Sequence, residues 1–226
     1  MKTTERVLVM NIQGASHAKD YVYRMRLFSR LLAFRRWPNL LLLSECQPPQ
    51  QKLLPSRYAY FAGKGGWSDV VAWKRHLYDV VSERTYRIPY LDGAHNVPYV
   101  LLRHKKTGRY IWLFPVHLPP TMDGYDQEDR RVGARILFEA VATALESFDA
   151  PVLIGGDFND HFIQDWIRRN VSDEIQKRLT LGVVDKRRNI DYLFGVGVVW
   201  KKTAVLWTRR VRRITDHAGL LVKFRF

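Results

Sequence analysis

The chain has 226 residues, 46% hydrophobic and 26% charged, which is ordinary globular usage and excludes wholesale disorder. The length suits one large domain, 1–226, able to bury about 70% of its unfolded surface in a single core. Lys and Arg number 37 against 22 Asp and Glu, a net charge of +15 with a pI near 10.1, so a polyanionic partner is expected: DNA, RNA or an acidic membrane surface.

In chain order, a short β-like run, Val7–Met10, leads into Asn11. Tyr21, Met25, Phe28 and Leu32 then step by three or four and predict a helix with one apolar stripe. Leu40–Ser44 reads as a strand ending at Glu45, and Val70–Trp73 as a strand preceded by Asp69. Val97–Leu102 and Tyr110–Pro115 are two further strands, joined by the turn Lys105–Gly108, the second leading to His117. Ile136 to Phe148 carries the longest helical periodicity. Val152–Ile154 runs through two glycines into Asp157, with Asn159 two positions on. Shorter helices are expected over His161–Asn170 and Asp173–Leu179. The strands Ile190–Phe194, which contains Asp191, Val198–Val199, Ala204–Trp207 and Leu220–Phe226 complete the chain, the last preceded by Asp216 and His217. No linker, repeat or low-complexity stretch divides them, so the expected architecture is a two-layered β core flanked by helices.

One cysteine, Cys46, excludes an intrachain disulfide. No apolar run approaches the ~18 residues of a membrane span. Glu5 and Arg6 stand where a signal peptide needs an apolar core. These features lead us to expect a cytoplasmic monomer.

Several strands end on a residue that binds metal or phosphate, and strand ends are where a rigid sheet holds catalytic groups in fixed geometry. Alone, each has a plain reading: Asn11 or Asp216 as a turn cap, His117 as a satisfied core histidine. Glu45 after four leucines and a serine is harder to dismiss, because burying an unpaired carboxylate costs several kcal/mol. Period-2 alternation would place Asp157 and Asn159 on one side, beneath a Gly-Gly that permits close backbone approach.

Together NIQG, LSE, PVHL, GGDFN, IDYLF and TDH occur in this order across the chain. The set resembles the endonuclease/exonuclease/phosphatase superfamily, the fold of deoxyribonuclease I and exonuclease III. The resemblance implies an α/β four-layered sandwich, two face-to-face mixed sheets with helices outside. It also implies phosphoester hydrolysis with a divalent cation, Mg²⁺ or Mn²⁺. It gives Glu45, Asn11 and Asp216 to the metal site and Asp157 to the attacking water, with Asn159 holding that water and a phosphate oxygen. His217 would contact phosphate, with Asp191 fixing its tautomer and charge, and His117 would sit on the phosphate or leaving-group side. Exonuclease III-type enzymes typically read LQE and carry Tyr at the second position, so LSE and His117 lean towards the deoxyribonuclease I or phosphatase branches. Asp69 is the candidate carboxylate partner for His117.

Basic residues choose among substrates. Lys201, Lys202, Arg209, Arg210, Arg212 and Arg213 form a run without acidic residues, and Lys186, Arg187 and Arg188 precede the strand of Asp191. Arg24, Arg26, Arg30, Arg35 and Arg36 lie on or after the first helix and read as a solvated face. Clustered charges of this kind grip backbone phosphates through counterion release. Trp67 and Trp207 are possible base-stacking groups, with Trp207 expected in the core. The expected function is a metal-dependent nuclease cutting double-stranded DNA through backbone contacts, with little sequence preference. The alternatives are an inositol or lipid phosphatase of the same fold and a nucleic-acid-binding protein with a decayed site.

Overall fold

The computed structural model describes residues 4–17, 19–34, 38–63, 69–90, 93–120 and 127–226. Trp67, Arg35 and Arg36 lie outside them. In chain order the elements are β1 (Glu5–Asn11), α1 (Tyr21–Phe34), β2 (Leu40–Ser44), α2 (Pro48–Gln51), β3 (Tyr58–Phe61), β4 (Val70–Lys74), β5 (Tyr78–Tyr90), β6 (Gly93–His104) and β7 (Tyr110–His117). There follow α3 (Gln127–Ser147), β8 (Val152–Asp157), α4 (Ile163–Asn170), α5 (Asp173–Arg178), β9 (Leu179–Val184), β10 (Asp191–Val196), β11 (Val199–Leu206) and β12 (Gly219–Arg225), with a 3-10 turn at Val211–Arg213.

The strands form two six-stranded mixed sheets, ordered β11-β12-β1-β2-β4-β3 and β5-β6-β7-β8-β10-β9. Alternate side chains of the central strands, among them Val9, Leu42, Leu113, Leu153, Leu193 and Leu220, meet between the sheets in one buried cluster. Each such fully buried leucine contributes about 2 kcal/mol. The opposite face of the first sheet packs Leu8, Met10, Leu41 and Leu43 against Met25, Phe28 and Leu32 of α1. The opposite face of the second packs Phe114, Val116 and Ile154 against Leu137, Phe138 and Val141 of α3, with Ile163 and Ile167 of α4. This is the four-layered sandwich expected from the resemblance.

Four strands depart from the sequence reading. β3, β5 and β9 were not foreseen, and Leu179 opens β9 rather than closing a helix. Val198–Val199 and Ala204–Trp207 belong to one strand, β11, which continues through Lys201 and Lys202. All four strands are sheet edges. Edge strands expose one rim and often one face to water, so charged residues replace the apolar run that marks a buried strand.

β1 and β2 are parallel, as are β7 and β8, so their C-termini fall at one end of the sandwich. Antiparallel pairing brings the start of β10 to the same end, with Asp191 opposite Asp157, and β12 likewise begins beside the end of β1. Two glycines let this end close tightly. A Cβ on Gly155 would lie 2.9 Å from both Val9 and Leu193 side chains, and one on Gly156 would lie 1.9 Å from the carbonyl oxygen of Val116 on β7. A flexible side chain can shift, whereas a backbone carbonyl in a parallel ladder has no room to do so. Gly156→Ala is therefore expected to destabilise the fold by about 3 kcal/mol or more, the upper range for overpacking. Gly155→Ala should cost less, and urea midpoints at constant m-value would order the two.

Candidate active site

The strand ends deliver Asn11, Glu45, His117, Asp157, Asn159, Asp191, Asp216 and His217 to the same end of the sandwich. Among the described residues, the non-glycine residues with left-handed backbone are Gln13, Glu45, Asn159 and Asn189, with φ of 56°, 55°, 50° and 54°. All four are in the loops that carry these groups. Each such residue costs about 1–2 kcal/mol, a strain the surrounding hydrogen bonds must hold in place.

On the side of the first sheet, Asn11 Nδ2 donates to Glu45 Oε1 at 2.8 Å and to Asp157 Oδ2 at 3.3 Å, while Asn11 Oδ1 accepts the Gln13 N–H at 3.0 Å. Asn11 thus clamps two carboxylates together. The Gly14 N–H donates to Glu45 Oε2 at 2.9 Å. Burial works to raise the Glu45 pKa, but His117, this N–H and the Asn11 amide outweigh it and hold the carboxyl below its ordinary value. Ser44, fully buried beside it, donates from Oγ to the Val116 carbonyl at 2.9 Å and ties the two sheets at this point.

Asp157 is buried, and burial together with the Asp191 charge pushes its pKa up to about 7, against the opposing His217 and the Asn159 N–H. That N–H donates to Asp157 Oδ1 at 2.9 Å in an Asx turn. The expected strand alternation of Asp157 and Asn159 is therefore corrected: β8 stops at Asp157 and a left-handed Asn159 turns the chain. The Asn159 amide donates to the Leu118 carbonyl at 2.8 Å.

On the other side, His217 Nδ1 lies 2.9 Å from Asp191 Oδ2, and its Nε2 lies 3.6 Å from Asp157 Oδ2. Burial alone would lower the His217 pKa, but the Asp191 hydrogen bond and charge, with Asp157 and Asp216, raise it to about 9. The imidazole is therefore cationic at neutral pH. Arg188 reaches into the same place, with a guanidinium nitrogen 3.3 Å from His217 Nε2 and the other donating to Asp216 Oδ2 at 2.9 Å. Asp216 is half exposed and engaged by Arg188, rather than hydrogen-bonded with Asn11 and Glu45.

His117 is buried, which pushes its pKa down to about 4 despite the nearby Glu45. Its Nε2 lies 3.3 Å from the Tyr90 hydroxyl and 3.8 Å from Glu45 Oε1. The expected pairing with Asp69 is not formed: His117 Nδ1 and Asp69 Oδ1 are both buried without a hydrogen-bond partner among the described residues. Asp69 is buried nonetheless, and burial plus the Glu45 and Asp157 charges hold its carboxyl well above the usual range. Tyr90, at the end of β5, takes the partner's place, its ring stacked on His95 at 3.7 Å. Nothing in the sequence singles out Tyr90, because β5 itself was not legible.

Carboxylates thus converge in a largely buried space where Asp69, Asp157 and Asp191 are pushed up by burial and by neighbouring acids. Hard oxygen donors crowded in this way, with Glu45 kept ionised, fit a divalent cation such as Mg²⁺ or Mn²⁺. Glu45 is the residue that would hold it, with Asn11 orienting its carboxylate. Asp157, Asp191 and His217 also place one ligand atom each within 4.8 Å of one another, although His217 Nδ1 is already committed to Asp191.

The basic run is split by the fold. Lys201 and Lys202 lie exposed on the edge strand β11. Arg209 and Arg210 are in the loop after it, and Arg212 and Arg213 in the 3-10 turn leading to Asp216. Trp207 is 36% exposed, correcting the expectation of a core residue, and Arg187 stacks over it at 3.9 Å while paired with Asp185. Lys186 borders a shallow groove between β9 and β11.

The chain belongs to the Endonuclease/Exonuclease/phosphatase family, whose model matches residues 8–217. Solved structures agree in fold. D. rerio TDP2 complexed with single-strand DNA product is 16% identical, with TM-score 0.80 over 99% of this chain and 100% of that one. The human Nocturnin catalytic domain with bound sulfate is 16% identical, with TM-score 0.75 over 99% and 97%. The mannosyl-6-phosphatase of Bacteroides thetaiotaomicron is 14% identical, with TM-score 0.74 over 98% and 100%. Comparison with curated protein sequences found no match.

The 2.9 Å contact of Asp191 with His217 makes them one unit. If Asp191 acts only by orienting and charging His217, Asp191→Asn, His217→Gln and the double variant should leave similar residual rates. Multiplicative losses in steady-state kinetics would show two independent roles.

Proposed function

We propose that this protein is a divalent-metal-dependent phosphodiesterase that hydrolyses the DNA backbone with little sequence preference. The observation that carries the reading is the pair His217 and Arg188. With His217 cationic, Nε2–H and the guanidinium are both donors, so at 3.3 Å they make no bond with each other and instead present two adjacent donors to one anion. A phosphate oxygen is the acceptor that suits them. Beside them lies Asp157, its Oδ2 3.6 Å from His217 Nε2, whose pKa of about 7 suits a general base at neutral pH.

Asp157 Oδ2 takes a proton from a water positioned with Asn159, the water oxygen forms the new P–O bond, and the opposite P–O bond breaks. His217 and Arg188 stabilise the charge on the non-bridging oxygens, and the departing oxygen gains its proton from solvent. No covalent enzyme intermediate is needed. A cation held by Glu45 would supply charge neutralisation for the phosphate and the departing oxygen. His117, with the Tyr90 hydroxyl at its Nε2, stands beside Glu45, on the phosphate or leaving-group side.

DNA is favoured over a small phosphorylated head group by the placement of the basic residues. Lys186–Arg188 lead directly to Asn189 and Asp191, and Arg209–Arg213 lead directly to Asp216 and His217. A long polyanion meets both segments, whereas a head group touches only the centre. Backbone contacts of this kind position a nucleic acid without specifying its sequence. The similar TDP2 structure holds single-strand DNA product, and the similar mannosyl-6-phosphatase supplies the competing reading.

Supercoiled plasmid incubated with Mg²⁺ should be nicked, and EDTA should stop it. Intact plasmid together with brisk hydrolysis of sugar or inositol phosphates would overturn the DNA reading. Glu45→Gln is expected to lower the rate by at least ~10²-fold, the scale for loss of a charge-stabilising group. Asp157→Asn should abolish cleavage while leaving DNA affinity unchanged or slightly higher, because it removes a negative charge near the phosphate.

Suppose the basic segments make about five phosphate contacts: log affinity against log salt should then slope at roughly −4 to −5. Replacing Arg209, Arg210, Arg212 and Arg213 with Ala should flatten that slope and raise KM more than it lowers kcat, since these groups bind ground and transition states alike. A slope near −1 in the parent protein would fit a small substrate instead.

A further inference from the structure

The loop that follows the candidate base holds an aromatic ring out of the core. Phe162 is 70% exposed, the highest value among the exposed large hydrophobic residues described. Its surroundings fix that position. The Phe162 N–H donates to Asp160 Oδ1 at 2.7 Å, and the preceding carbonyl, of His161, accepts from the Asn189 amide at 3.1 Å and the Tyr192 hydroxyl at 3.3 Å. The same loop begins at Asn159, and Asn189 stands two residues before Asp191. The backbone that carries the ring is therefore anchored to both sides of the active site.

Beside it is a cleft of about 550 Å³, lined among others by Phe162, Trp166, Gln127, Arg131 and Arg169. Neither Arg131 nor Arg169 has an ion-pair partner among the described residues. Two acids also line the cleft: Asp165 pairs with Arg168 at 2.8 Å, and Asp160 Oδ1 is turned to the Phe162 N–H. The cleft combines aromatic rings with guanidinium groups that have no ion-pair partner among the described residues, and it opens directly after the residue expected to hold the attacking water.

We propose that this cleft takes an unpaired nucleobase of the substrate strand, stacked on Phe162 and Trp166, with the adjoining phosphate on Arg131 and Arg169. The inference rests on the nucleic-acid reading above and narrows it: the protein engages DNA at frayed ends and single-stranded segments. A base paired in a duplex is held in the stack, so an exposed aromatic gains stacking on a free π-face only from an unpaired base. The arginines suit the phosphate as point donors, and every base offers a π-face, so the subsite is tolerant of sequence.

The test uses the full chain carrying Asp157→Asn, so that binding is read without turnover. Fluorescence anisotropy is measured with a short labelled oligothymidylate and with a blunt duplex of the same length. Adding Phe162→Ala or Phe162→Leu should weaken oligothymidylate binding roughly 10-fold, within the range for loss of one stacked base, and Phe162→Trp should restore it. Affinity for the blunt duplex should change less than about two-fold in all three, as expected for a surface side chain that duplex does not touch. An oligouridylate probe with the same loss shows that the base rather than the sugar is recognised. Phe162→Ala binding oligothymidylate as tightly as its parent would overturn the inference alone. A parent that binds neither probe would overturn the nucleic-acid reading itself, and the inference with it.

Discussion

The site depends on holding like charges together out of water. Glu45, Asp69, Asp157 and Asp191 converge at one end of the sandwich, three of them with no more than 4% of their surface exposed. Unpaired, buried carboxylates either neutralise or force the structure apart. The fold answers each differently. Glu45 is kept ionised by two donors, Asn11 and the Gly14 N–H. Asp191 is matched to a cationic His217. Asp157 is pushed up to about 7, and burial holds Asp69 well above the usual carboxylate range. One cluster of acids thereby contains an ionised group suited to a cation, a basic group poised near neutral pH and a counter-charge for an imidazolium.

Rigid strands are what make such an arrangement sustainable. β1 and β2 run parallel, β7 and β8 run parallel, and β8 pairs with β10, so register alone sets Asn11 beside Ser44, His117 beside Asp157, and Asp157 opposite Asp191. The left-handed backbone at Gln13, Glu45, Asn159 and Asn189 then turns each chain sharply away from the strand ends. The glycines before Asp157 serve the same end by letting β8 approach its neighbours closely, so stability and geometry are linked at one pair of residues.

The central strands were legible in the sequence because both of their faces are buried and they read as unbroken apolar runs such as Leu40–Leu43. The edges were not. β5 carries Glu83, Arg84 and Arg87, and β11 carries Lys201 and Lys202, so neither presents the run that marks a strand. The same division governs the site. Groups at the ends of central strands, Asn11, Glu45, His117 and Asp157, could be listed from spacing and motif. Tyr90, at the end of an edge strand, could not. Arg188 was visible only as one of three adjacent cations, because its reach to His217 and Asp216 depends on where β10 begins relative to β12. Asp69 misled for a related reason: proximity in the fold placed it near Glu45 and Asp157, but its carboxylate makes no bond to His117.

Charge at the centre and charge at large have opposite signs, and the difference bears on how a substrate is taken up. The chain as a whole carries +15, while the floor of the site is built from carboxylates. A phosphodiester drawn to the surface by long-range attraction would meet repulsion at the last step if nothing intervened. One feature lowers that barrier in the protein itself. His217 and Arg188 form a cationic wall on one side. A divalent cation at Glu45 would cancel most of what remains, and in doing so would convert the crowding of acids from a liability into the means of binding the metal. On the proposed reading, the surface gathers a polyanion and the centre selects a single phosphate only when a cation is present. Binding and chemistry then draw on separate sets of residues, with arginines and lysines outside and carboxylates within.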